Sequence, residues 1–176
     1  MKKRIIALGL LWCLFAVMLQ AARVDTVLVR SAAMNKDVKV VYVLPDKAIG
    51  KQACPVVYLL HGYGGNARSW VQLKPELPQM ADEKGIIFVC PDGKNSWYWD
   101  SPENPAYRYE TFVTSELVKY TDGNYATIPD SKARAISGLS MGGHGALWSA
   151  IRHKDVFGAA GSMSGGVDIR PFPQNW

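Results

Sequence analysis

Cysteine is scarce in this chain of 176 residues, with only Cys13, Cys54 and Cys90. Three are too few for a disulfide scaffold and too scattered for a zinc site. Low-complexity stretches and internal repeats are absent. The longest uncharged apolar run, residues 5–19, falls short of the roughly 20 residues that a membrane span needs. A surplus of one charge is also lacking. The formal net charge is +5, but Lys2, Lys3 and Arg4 stand in a leading segment without acids, leaving 17 basic against 15 acidic residues. No basic stripe remains, so nucleic-acid binding has no electrostatic footprint here. Hydrophobic residues at 48% and charged ones at 20% are ordinary globular usage for about one domain.

The leading segment has its own logic. Lys2-Lys3-Arg4 is a positive n-region, residues 5–19 an apolar core, and Gln20-Ala21-Ala22 supplies small residues for cleavage. That is the three-part form of a secretory signal. We expect residues 1–22 to be a signal peptide, 23–176 to form the folded domain, and the protein to be exported, periplasmic or secreted. An uncleaved anchor is the alternative, and the leader is the only part expected to touch a membrane. Cys13 would be lost with it. Cys54 opens one expected strand and Cys90 closes another, so parallel neighbours would hold them at opposite sheet ends. A disulfide needs Cα atoms within about 7 Å, and both thiols are expected free.

Downstream, residues 24–30 and 38–44 read as an opening β-hairpin around a polar turn at residues 35–37. Residues 55–60 and 86–90 are continuous apolar runs, as strands buried on both faces would be. Residues 69–84 are helical in character but broken by Pro75 and Pro78, and Gly85 stops them. Residues 94–108 read as a long loop containing Trp97-Tyr98-Trp99. Apolar residues at 109, 112, 113, 117 and 120 have helical spacing. A short strand at 133–137, a small-residue helix at 142–153 and a last strand at 157–163 complete the series. Strands that alternate with helices predict a mostly parallel α/β sheet covered on both faces. In such sheets the working groups lie beyond the carboxyl ends of the strands.

One motif carries chemistry. Gly138-Leu139-Ser140-Met141-Gly142 matches G-x-S-x-G. A serine thrust out on a sharp strand-to-helix turn has strained backbone angles, and neighbours two residues away must be glycine to avoid collision. Chance alone yields the pattern roughly once in twenty chains of this length at average glycine and serine usage. The strand before it and the helix after it raise its weight. Gly143, Gly145 and Ala146 would let that helix lie close to neighbouring strands. A second element, His61-Gly62-Tyr63-Gly64-Gly65, follows the buried strand ending at Leu60. Acyl transfer needs two N–H donors aimed at the developing oxyanion. One comes from the residue after the nucleophile, Met141, and the other from the loop after the third strand, Tyr63. The same loop also fits the dinucleotide fingerprint G-x-G-x-x-G/A, with Asp92 after the next strand. That rival leaves the serine turn unexplained and sits poorly with an export leader.

The segments Leu59–Gly65, Pro91-Asp92-Gly93, Tyr109-Glu110 and Gly138–Leu147 resemble the esterase D-like branch of the α/β-hydrolases. That branch includes S-formylglutathione hydrolases, feruloyl, acetyl-xylan and tributyrin esterases, and mycolyl transferases. The resemblance covers about residues 25–170, and exported esterases of plant-polysaccharide esters look most alike. It implies an α/β-hydrolase fold with an N-terminal antiparallel hairpin and a mostly parallel sheet. It also implies Ser140 as nucleophile, Met141 and Tyr63 as oxyanion donors, no cofactor, and a small-molecule or polysaccharide ester as substrate.

The rest of the triad is harder to place. The chain order in this fold is serine, then acid, then histidine. After Ser140 the histidines are His144 and His153, and the acids are Asp155 and Asp168. His144 lies one turn along the helix that leads away from the serine, and packing is its expected role. His153 suits a helix C-terminus. His61 precedes the serine and is expected to support the oxyanion loop. We therefore expect the triad acid and histidine to lie outside this sequence, with the last strands, and the chain alone to be weak or inactive. A non-catalytic carbohydrate-binding remnant and a formylglutathione-type thioesterase are the alternatives. Trp97 and Tyr98 are candidate substrate-binding rings. Asp92 in Pro-Asp-Gly reads first as a turn residue, and Tyr109-Glu110 as a helix start. No metal-ligand spacing appears.

Overall fold

The computed structural model describes residues 22–168, so residues 1–21, including Cys13, and residues 169–176 lie outside the described part. Six strands form one sheet: β1 (Arg23–Ser31), β2 (Lys36–Leu44), β3 (Val56–Leu60), β4 (Ile87–Pro91), β5 (Arg134–Leu139) and β6 (Ala159–Met163). Their order is β1-β2-β4-β3-β5-β6. The β1–β2 and β2–β4 pairs are antiparallel, and β4–β3, β3–β5 and β5–β6 are parallel. The expected mostly parallel sheet with an N-terminal hairpin is what forms.

Alternation explains the two cores. Successive strand side chains point to opposite faces. Val40, Tyr42, Val56, Tyr58, Leu60, Ile87 and Val89 bury on one face. Val41, Val43, Val57, Leu59, Phe88 and Cys90 turn to the other. A strand covered on both faces must be apolar at every position, which is why β3 and β4 are unbroken hydrophobic runs. Helices α2 (Ser69–Leu73) and α3 (Leu77–Lys84) cover the second face through Trp70, Leu77 and Ala81. Gly85 ends α3 in the left-handed conformation, φ +63°. A short helix α1 (Asp46–Ile49) follows β2.

The first face is covered by α4 (Tyr109–Thr111), a π-helical turn (Phe112–Glu116), α5 (Leu117–Asn124) and α6 (Met141–Arg152). The apolar spacing from residue 109 predicts one helix. The observed helix is continuous to Asn124 but widened at its centre, where the Thr114 hydroxyl donates to the Glu110 carbonyl at 2.8 Å. Such back-bonding is known to bend helices. Cys54 and Cys90 are both buried and free, as their placement on the strands predicts. Ala22 is buried, and its N–H donates to Asp82 at 2.6 Å.

Candidate active site

Ser140 sits between β5 and α6 with φ +55° and ψ −116°. That region is costly for any residue with a side chain, by about 1–3 kcal/mol. Close packing holds it there. A Cβ on Gly138 would lie 2.2 Å from the Gly142 carbonyl, and one on Gly142 would lie 2.2 Å from the Leu60 carbonyl oxygen. The turn is therefore pressed against the end of β3. The Ser140 N–H donates to the Met163 carbonyl at 2.8 Å, which ties it to the end of β6 as well. The serine itself is exposed, whereas Met141 is fully buried.

The glycine-rich loop after β3 lies alongside. A Cβ on Gly62 would stand 3.6 Å from the Ser140 Cβ. Most of the loop's N–H groups are engaged. Gly64 donates to the Asn95 side chain at 2.8 Å, Gly65 to Gly62 at 3.0 Å, Asn66 to the Ser69 hydroxyl at 2.9 Å and Arg68 to the Asn66 side chain at 2.8 Å. Donors committed in this way are not free to cradle a pyrophosphate, which counts against the dinucleotide reading. The Tyr63 N–H in this loop and the Met141 N–H at the start of α6 are among those left without an acceptor among the described residues.

The loop is held from beneath by side chains. His61 is 2% exposed. Its Nδ1 donates to the Gly62 carbonyl at 2.7 Å, and its Nε2 accepts from the Gly93 N–H at 2.9 Å. These partners assign the neutral tautomer, so the 3.7 Å approach of Nε2 to Asp92 is no ion pair. With both nitrogens occupied, His61 is a strut between two loops. Tyr98 is the second strut. Its hydroxyl accepts from the His61 N–H at 2.9 Å and faces the His61 carbonyl at 3.3 Å. Its ring lies where a Cβ on Gly93 would come within 2.2 Å and one on Gly145 within 2.6 Å. Trp97 and Tyr98 both adopt positive φ, +56° and +59°, a strained choice for aromatic residues. The packing and the hydroxyl bonds hold them in it.

This corrects one expectation. Tyr98 is fully buried and offers no ring to a substrate. Gly145 makes room for that ring as well as for helix packing. Trp97 is half-buried, with its edge set against His144 at 5.4 Å. Asp92 behaves as a turn residue, its Oδ1 accepting from the Lys94 N–H at 3.0 Å and its Oδ2 pairing with the Lys94 ammonium at 2.9 Å. Burial pushes its carboxyl up, but the Lys94 backbone and ammonium contacts outweigh this and hold it well below the usual range.

No described histidine bonds to the Ser140 hydroxyl. His144 stacks on Trp148 at 6.0 Å, and its Nδ1 pairs with the Gly166 carbonyl at 2.9 Å. Burial lowers its pKa. His153 meets Glu110 at 2.8 Å. Glu110 starts its helix as expected, but its larger role was hidden. It also accepts from Trp148 Nε1 and Arg152 Nε, each at 2.8 Å, and so clamps α4 to the end of α6. Asp155 lines the cavity near Glu110, far along α6 from Ser140, and Asp168 lies on the loop after β6.

Comparison with known proteins agrees with this geometry. The family model described as "Putative esterase" matches residues 31–176. An acetyl esterase of Caldicellulosiruptor saccharolyticus is 29% identical over 136 residues, covering 72% of this chain and 50% of the relative. A diacylglycerol acyltransferase/mycolyltransferase Ag85A of Mycobacterium gordonae is 34% identical over 155 residues, covering 82% and 43%. The solved structure of a ferulic acid esterase superposes with a TM-score of 0.74 at 31% identity, covering 85% of this chain and 62% of that one. The chain thus spans half or less of the length of the curated relatives it matches. Its strained serine turn, its sheet order and these matches agree: the chain belongs to the esterase family of α/β-hydrolase fold.

Proposed function

We propose that this polypeptide is the part of a serine carboxylic-ester hydrolase that carries its nucleophile. Ser140 attacks the ester carbonyl, and the N–H groups of Met141 and Tyr63 receive the charge that develops on its oxygen. The observation that carries this reading is the pair of unengaged N–H groups flanking an exposed serine held at positive φ. An acyl-enzyme forms as the alcohol leaves, and water then releases the acid. The base that takes the serine proton is not among the described histidines, each of which is committed elsewhere. In this proposal it comes, with its acid, from polypeptide beyond the described residues. Without it the hydroxyl is a poor nucleophile near neutral pH. Turnover by the 176-residue chain on p-nitrophenyl acetate is expected to fall several orders of magnitude below that of a full-length relative.

The substrates proposed are small acyl esters or acyl groups on polysaccharides, in line with the acetyl and ferulic acid esterases it resembles. Burial of Tyr98 weakens the alternative of a carbohydrate-binding remnant built on the aromatic loop. Export is also proposed. The positive n-region, the apolar run and the small residues at its end support removal of a leader over residues 1–22. Mass spectrometry of the secreted protein's N-terminus reads this directly.

Fluorophosphonate labelling tests the chemistry. Labelling at Ser140, lost in Ser140→Ala, supports the reading. No labelling in a version extended to the length of its relatives overturns it.

A further inference from the structure

The carboxyl rim of the sheet carries a second feature that ester hydrolysis does not use. Beyond β4, where β2 begins, lies a cavity of about 230 Å³ lined by Lys36, Lys39, Lys94, Asp92, Tyr109 and Leu28, with Asp37 and Val38. Its acids are already engaged. Asp92 gives one oxygen to the Lys94 backbone and the other to the Lys94 ammonium. Asp37 faces Arg30 at 3.7 Å. Lys36 and Lys39 make no ion pair among the described residues. Lys36 is also held in place. Its ammonium donates to the Ala106 carbonyl at 2.5 Å and lies over the rings of Tyr107 and Tyr109, at 5.1 and 4.8 Å from their centres. An ammonium has three donors, and only one is used.

The surroundings are electropositive. Burial lowers the pKa of Lys36, the nearby Lys94 lowers it further, and Asp92 offsets only part of this. An arriving anion would relieve both penalties. Three lysines against two aspartates leave one net positive charge, which matches a carboxylate better than a phosphate dianion.

The cavity lies on the same rim of the sheet as the serine turn, two to three strands away. Lys94 and Asn95 follow β4, and Asn95 accepts the Gly64 N–H of the loop beside Ser140. Adjacent strands lie about 4.8 Å apart, which puts the β4–β2 mouth roughly 10–15 Å from the end of β5. That is the span of two or three sugar units. We propose that this cavity is a subsite for a carboxylate carried on the substrate at that distance from the scissile ester, as on a sugar acid, with Lys36 as its principal ligand. The purpose assigned to the subsite rests on the ester-hydrolase reading; carboxylate binding does not.

The probe is D-glucuronate, with neutral D-glucose as control, titrated into the ¹⁵N-labelled full chain. Saturable amide shifts at Lys36, Lys94 and Tyr109 with glucuronate and none with glucose are expected. Lys36→Gln should weaken binding about tenfold, the size of one charge-assisted hydrogen bond, and Lys36→Arg should recover most of it. Lys94→Gln should weaken it less, because Asp92 already occupies that ammonium. Equal responses to both sugars, tighter binding of inorganic phosphate, or no effect of Lys36→Gln would overturn the proposal. A second readout uses two fluorophosphonates that differ only in a terminal carboxylate. In the version extended to the length of its relatives, the charged one should label Ser140 faster when Lys36 is present and at the neutral rate in Lys36→Gln. Equal rates in the wild type refute the subsite's purpose. Glucuronate binding without any labelling, in the chain or its extended version, refutes the hydrolase reading and leaves the carboxylate site standing.

Discussion

The serine turn and the glycine loop beside it face the same space but are built on different principles. The turn after β5 is held by backbone against backbone, with Gly138 pressed on Gly142 and Gly142 on Leu60. The loop after β3 is held by side-chain contacts with the loop after β4: His61 to Gly93, Tyr98 to His61 and Asn95 to Gly64. A backbone lock tolerates no added atom. A side-chain lock tolerates changes of shape but not the loss of a polar contact. The first should therefore fail by overpacking and the second by leaving buried groups unpaired.

The largest effect is expected from Gly142→Ala. Its methyl would meet the Leu60 carbonyl carbon and oxygen at 2.6 and 2.2 Å, and neither belongs to a flexible group. A loss of about 3 kcal/mol or more in urea unfolding is expected, with labelling of Ser140 abolished. Wild-type stability in this variant would break the distinction between the two locks. Tyr98→Phe comes next. It keeps the ring in its socket between Gly93 and Gly145 but strands the buried His61 N–H, at a cost of about 1–3 kcal/mol. Faster hydrogen exchange at His61 and slower labelling of Ser140 should accompany the loss. If exchange there is unchanged, Tyr98 is not what holds the loop.

Glu110→Gln sharpens the contrast from outside the site. It weakens three donor contacts at the end of α6, but the Arg152 side chain is 53% exposed and its share is screened. A loss of about 1 kcal/mol is expected in thermal melts, with labelling of Ser140 unaffected.

Acid should act mainly on the side-chain contacts. Asp92 and Glu110 are both depressed in the folded state, the latter because its contacts to Arg152, Trp148 and His153 outweigh burial. Their contribution is present above the ordinary values of 3.8 and 4.5 and is lost as pH falls below them. His144 is depressed by burial, so the unfolded chain takes up its proton first once pH drops below 6.5. A shallow decline in stability should begin there, and His144→Gln should flatten it. Urea midpoints measured across this range that rise on acidification would contradict the sign.

Much of this was legible before any coordinates. The strand pattern follows from alternation within five or six residues, and the serine turn from glycines two residues either side. The end of α3 follows from Gly85. Less visible was the division of labour among the aromatics. Trp97, Tyr98 and Trp99 read alike in a loop, yet Tyr98 is fully buried and Trp97 only half so. The widened turn at Phe112–Glu116 was equally hidden, because helical spacing of apolar residues does not reveal where a hydroxyl will compete for a carbonyl.

By itself the chain determined what depends on near neighbours: which runs are strands, which faces they bury, and where a serine is forced out of regular geometry. Steric limits between residues two to four positions apart leave direct marks in the order of amino acids. Only the folded molecule decided that His61 is a strut, that Tyr98 supports a loop, that Glu110 joins two helices and that Lys36 and Lys94 share a cavity. Those partners lie 32 to 58 positions apart. Their meeting depends on strand order, and no spacing along the chain records which strands become neighbours.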